Sequence, residues 1–184
     1  MVEELALADD ALATCVDAAA WALPEHDLIA ALDAAHRLEQ RLAAVKLALV
    51  REIDGRGTAR AQGASCTAVW LRERLRLTVP AARRLIDLAT ALDTSNPGIR
   101  KALADGHLSL DQARVITDTA TTVHETAGTE AADKAVSLLT DWAAQFDPTH
   151  LRKLGTRILD HVAPDLADAA TRAALEAEAR RATR

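Results

Sequence analysis

Leu28, Leu32, Ala35, Leu38, Leu42, Val45 and Leu49 recur at intervals of 4, 3, 3, 4, 3 and 4 residues, nearly a heptad seam. That spacing predicts one long helix over about residues 26–54 and constrains the rest of the chain. A seam of this length packs on another long helix, inside the chain or in a partner subunit, and packing inside the chain is the expectation. Composition extends the helical reading to the whole molecule. Hydrophobic residues make up 49% of the 184 positions and are dominated by Ala and Leu, with seven glycines and only 2% aromatics. The expected class is all-α: a multi-helix array with almost no strand, long enough to bury a sizeable core.

Around the long helix the chain divides into segments. Residues 1–54 form the N-terminal helices. The first runs from about Val2 to Leu23, with Leu5, Leu12, Val16 and Trp21 on an irregular apolar side, and Pro24 ends it. Residues 55–66, GRGTARAQGASC, read as a flexible Gly/Arg connection. It is either a plain surface loop or one whose Arg56 and Arg60 follow a phosphate backbone.

Residues 67–124 read as a helix-turn-helix-like region, its core at about 67–118. Thr67 is expected to cap a helix with Ala68, Leu71 and Leu75 on one face. Thr78 and Pro80 start a second helix that buries Ala81, Leu85, Leu88 and Leu92. Asn96 and Pro97 start a third, and Ser109 caps a fourth with Leu110, Ala113, Ile116 and Ala120 inward. Residues 125–164 form a C-terminal helical pair that buries Ala135, Leu138, Leu139 and Trp142, then Leu151, Leu154, Ile158 and Val162. The last segment, 165–184, reads as a terminal helix anchored only by Leu166 and Leu175 and prone to fraying.

Charge gives the one functional signal. Ala68 to Lys101 holds seven basic residues (Arg72, Arg74, Arg76, Arg83, Arg84, Arg100 and Lys101) against three acidic ones (Glu73, Asp87 and Asp93), a local excess of +4 on a chain of net charge −5. A basic island on an acidic protein suits a phosphate-facing surface, because neutralising phosphates releases counterions. In a helix-turn-helix the second helix enters the major groove, which would place Arg83 and Arg84 on bases or phosphates, Arg72, Arg74 and Arg76 on the backbone, and Arg100 and Lys101 on a flank. The plainer alternative is that Arg83 pairs with Asp87 one turn away and the arginines serve solubility, leaving the long helix to drive self-association.

Other chemistry finds no support in the sequence. Phosphate-binding glycine loops, H-E-x-x-H and G-x-S-x-G are absent, and the six histidines never fall three or four residues apart. No catalytic residue, metal, cofactor or small-molecule substrate is therefore expected. Cys15 and Cys66 form no C-x-x-C, the N-terminus MVEELALADD is acidic, and no apolar run nears a membrane span. A cytoplasmic protein is the expectation.

The run GASCTAVWLRERLRLTVPAARRLIDLATAL, then IRKALADGHLSLDQARVI and FDPTHLRKLGTRILDHVAPD, resembles the N-terminal half of the actinobacterial 13E12-repeat family, domain of unknown function 222. Members of that family often continue into an HNH endonuclease module. The resemblance implies a DNA-binding part without the cutting part, in a functional protein or a mobile-element remnant. PGIRKALADGHLSLDQARVI is also similar to the stretch that follows the helix-turn-helix of ParB-type partition proteins, which likewise implies DNA.

Overall fold

A computed structural model describes residues 1–94 and 96–162, and all of their regular structure is helical. The helices are α1 (Val2–Val16), α2 (Glu25–Gly55), α3 (Thr58–Ala61), α4 (Thr67–Leu75), α5 (Val79–Thr94), α6 (Pro97–Ala104), α7 (Leu110–Ala127), α8 (Thr129–Trp142) and α9 (Pro148–Val162). The expected terminal helix over 165–184, with its Leu166 and Leu175, lies outside the described residues. The chain forms two compact units, residues 1–36 and the remainder from Arg37.

In the first unit, α1 stops at Val16 rather than continuing to Leu23, and a short 3-10 turn over Ala20–Ala22 precedes Pro24. None of its side chains is buried; Leu12, Val16 and Trp21 are exposed.

The second unit is organised on α7, not on the long helix. Ala113, Val115, Ile116, Thr117, Thr119, Ala120 and Val123 of α7 are all buried, so it is covered on several sides by α5, α6, α8 and α9. A threonine-rich helix reads from sequence as half-solvated. Here the Thr119 hydroxyl donates to the Val115 carbonyl at 2.9 Å and the Thr121 hydroxyl to the Thr117 carbonyl at 3.0 Å, so these two hydroxyls are satisfied within the helix itself. Gly155 of α9 sits against Thr119, where a Cβ would lie 2.6 Å from Oγ1 and 3.1 Å from Cγ2. The absence of a side chain lets the two helices approach.

The start of α7 carries a full capping box. Ser109 Oγ accepts from the Gln112 N–H at 3.1 Å, and Gln112 Oε1 accepts from the Ser109 N–H at 2.8 Å. Gln112 Nε2 then donates to the carbonyls of Ala143 (2.8 Å) and Phe146 (2.9 Å), closing the end of α8. A further first-turn donor, Leu110 N–H, is taken by Gln40 Oε1 of α2 at 2.8 Å. Gln40 is buried for that reason.

The expectation that the α2 seam packs inside the chain is overturned. Its core-facing stripe is Gln40, Ala44, Leu47 and Val50, whereas Leu38 (51%), Leu42 (50%) and Leu49 (37%) are exposed. The stripe that docks is smaller and centred on a glutamine, so ranking the faces by leucine content selects the wrong one.

Smaller corrections have local causes. The cap position of α4 is Cys66, and Thr67 is buried without capping. Ala82, not Ala81, is the buried alanine of α5 beside Leu85, Leu88 and Leu92. Thr78 does cap, accepting from the Ala81 N–H at 3.3 Å. Asn96 occupies the cap position of α6, but its amide donates back to the Ala91 carbonyl of α5 at 3.3 Å. Leu75 and Leu138 are exposed. Residues 55–66, expected as a joint, contain α3, with Ala59 buried and positive φ at Gly57 and Gly63 making the turns on either side.

A candidate nucleic-acid interface

The basic island occupies α4, α5 and α6. α4 and α5 meet across Arg76–Thr78, with Arg76 itself in the left-handed region at φ 56°. α5 buries Ala82, Leu85, Leu88, Ala89 and Leu92, which fixes Arg83 and Arg84 on its solvent side. The Cys66 thiol at the start of α4 is held below its usual range by the Val69 N–H first, with the Arg83 charge the smallest contribution. Arg84 lines a cleft of about 230 Å³ between α5 and α7, together with Asp87, Arg114, Thr117, Asp118 and Thr121. No ion pair joins Arg83 to Asp87 among the described residues.

The remaining predicted residues fall into two groups. Arg72 pairs with Glu73 at 3.0 Å. Arg74 lies over the Trp70 ring, 5.1 Å from its centroid, while Trp70 Nε1 donates to Gln62 Oε1 at 2.9 Å. Lys101 pairs with Asp105 at 2.5 Å. Arg76, Arg83, Arg84 and Arg100, by contrast, have no carboxylate within ion-pair distance among the described residues.

Arg100 lines a groove of about 450 Å³ between α2, α5 and α6. Its floor is Leu47, Ala89, Leu92 and Leu103, and Arg51 and Arg56 share its rim. Both rim arginines are occupied: Arg51 Nε donates to Asp93 at 3.1 Å and Arg56 Nε to Glu52 at 2.5 Å. Arg84 and Arg100 therefore line different grooves. Sequence reasoning missed Arg51 and Arg114, each of which sits beside a buried residue of its own helix and is carried to a groove by the packing. The only advance signal was that adjacency.

Arg114 changes the electrostatics of the α5/α7 cleft. Its terminal nitrogen reaches Asp111 at 3.3 Å, but its Nε and the Thr117 hydroxyl are buried without a hydrogen-bond partner among the described residues. Burial pushes the Asp118 carboxyl above its usual range, against the opposing pull of Arg152 and Arg114.

Among the described residues no group of His, Cys, Asp or Glu is placed to hold a metal ion, and no helix is long and apolar enough to cross a membrane. No curated protein and no solved structure matches the chain, so the local likeness to partition proteins gains no support. The family described as Domain of unknown function (DUF222), to which the sequence motifs pointed, matches over residues 29–184, and the chain belongs to that family.

Proposed function

We propose that this chain is a cytoplasmic DNA-contacting helical module without catalysis of its own. The observation that carries the reading is the set Arg76, Arg83, Arg84 and Arg100. All four are exposed on the α4–α6 segment and unpaired with carboxylates among the described residues, within a segment of excess +4 on a chain of net −5. Exposed guanidinium groups without internal partners are free to exchange water for phosphate oxygens. Arg72, Arg74 and Lys101 are held by neighbours, and in this reading they shape the surface rather than dominate its affinity.

The arrangement also bears on the mode of contact. Arg83 and Arg84 are neighbours on the solvent side of α5, about 100° apart around it, Arg76 marks the turn before it, and Arg100 lies on the following helix. That spread favours contacts to a phosphate backbone over a concentrated reading of one base step. Four phosphate contacts predict a logarithmic salt slope of about −3.6, and hence a loss of about 100-fold in affinity for a generic duplex between about 50 and 200 mM salt. Fluorescence anisotropy of a labelled duplex against the purified chain measures this. A salt-independent signal, or none at the lower salt, would contradict the reading.

A further inference from the structure

The face of α2 that the fold leaves in solvent is as apolar as the face it buries. On a helix of 100° per residue, Gln40 lies about 160° from both Leu38 and Leu42. Leu38 and Leu42 therefore lie opposite the part of the stripe that docks on the core at Gln40. Leu28 (41%), Leu32 (70%), Leu38 (51%), Leu42 (50%) and Leu49 (37%) are all open. Scattered exposed leucines call for no explanation, but leucines aligned on one helical stripe over about three heptads do.

Two properties of the seam identify its occupant. The first is that its spacing reads nearly the same in reverse. Each position paired with the one whose number brings the sum to 77 gives Leu28 with Leu49, Leu32 with Val45 and Ala35 with Leu42, while Leu38 falls beside the midpoint. A second copy laid antiparallel across this helix would thus set apolar residues against one another at the three outer pairs, with the two Leu38 side chains flanking the dyad.

The second property is charge. Residues 25–36 carry Glu25, Asp27 and Asp33 and no Lys or Arg, whereas residues 37–46 carry Arg37, Arg41 and Lys46 against Glu39 alone. Two parallel copies would set acid on acid and base on base. Two antiparallel copies would set the acidic half of each against the basic half of the other. Like charges meet in two places: Glu25 with Glu52 at the ends of the seam, where Glu52 is held by Arg56, and Arg37 near Arg41 beside the dyad, where Glu39 of each copy also falls.

We infer that the chain forms an antiparallel homodimer through the exposed seam of α2, with its two-fold axis beside Leu38. An isologous interface of this kind closes on itself and covers the whole stripe. It is independent of the DNA reading, and either can fail without the other.

Sedimentation velocity of the full chain over a concentration series tests it, with cysteine cross-linking for direction. The expected result is a species of twice the 19.6 kDa monomer that Leu38→Asp converts to monomer. Because Leu38 is opposite the core, the variant should keep its helical circular dichroism and its melting temperature. With Cys15→Ser and Cys66→Ser as background, Leu28→Cys alone should not cross-link, while a mixture of Leu28→Cys and Leu49→Cys chains should. A wild-type monomer at every concentration, a dimer indifferent to Leu38→Asp, or Leu28→Cys chains that cross-link to each other would each overturn the proposal.

Discussion

Replacing Gly155 with leucine is expected to cost about 3 kcal/mol, the upper end of the usual penalty for overfilling a packed contact. A melting temperature lower by about 6–12 °C should result in a domain of this size. The cause is the contact with α7: even a Cβ would come within 2.6 Å of Thr119 Oγ1. Thr119 has little room to yield, because it is buried, branched at Cβ and bonded to the Val115 carbonyl. Alanine provides the sharper comparison. In a free helix Gly→Ala gains about 1 kcal/mol, so a neutral or destabilising Gly155→Ala would already reveal the contact. Adding Thr119→Ala should then recover stability beyond the sum of the two single effects, because it removes the two nearest of the three atoms that the new Cβ meets. Thermal melts of the four proteins measure the coupling, and strict additivity would show that α7 and α9 do not touch there.

Gln112 is the second position where a large effect is expected. Its side chain accepts from Ser109 and donates to Ala143 and Phe146, so one residue both caps α7 and closes α8. Gln112→Ala should destabilise by about 2–3 kcal/mol, from the lost cap together with a buried carbonyl left without a donor. Gln112→Glu distinguishes the two roles. Glutamate can still accept from Ser109, but an ionised carboxylate would oppose two carbonyl oxygens, which raises its folded-state pKa above the unfolded value. Protonation relieves that opposition, so its deficit relative to wild type should be greatest near neutral pH and shrink as pH falls through the raised folded-state pKa. Asp147, held below the usual carboxylate range by the His150 N–H and side chain, supports α9 above its unfolded pKa and loses that contribution as pH falls through its lower folded pKa. This affects both proteins alike, and the difference between them isolates Gln112. Chemical denaturation at several pH values provides the measurement.

The sequence and the fold agree where local chemistry decides the outcome. Ser109 with Gln112, Thr78 with Ala81, and Asp147 accepting from the Thr149 and His150 N–H groups are short-range arrangements that the fold retains. The class and the long helix were legible for the same reason. Which face of α2 would dock was not, since Gln40 becomes a core residue only when the Leu110 N–H arrives opposite it, 70 positions later in the chain. The centrality of α7 was hidden by threonines that turn their hydroxyls onto their own helix. At the basic island, sequence identified the charge but not its partition. Only packing separates Arg72, Arg74 and Lys101, held by neighbours, from the four arginines without carboxylate partners, and only packing brings Arg114 beside Arg84.

Reversing the charge of the arginines on the solvent side of α5 tests most directly the proposal that this side faces DNA. Anisotropy of a labelled duplex at about 50 mM salt should show binding by the wild-type chain and at least a tenfold loss in the Arg83→Glu/Arg84→Glu variant, with a salt slope shallower by about 2. Both side chains are exposed, so the variant should remain folded by circular dichroism. Binding unchanged by the reversal, or no binding by either protein, would contradict the account.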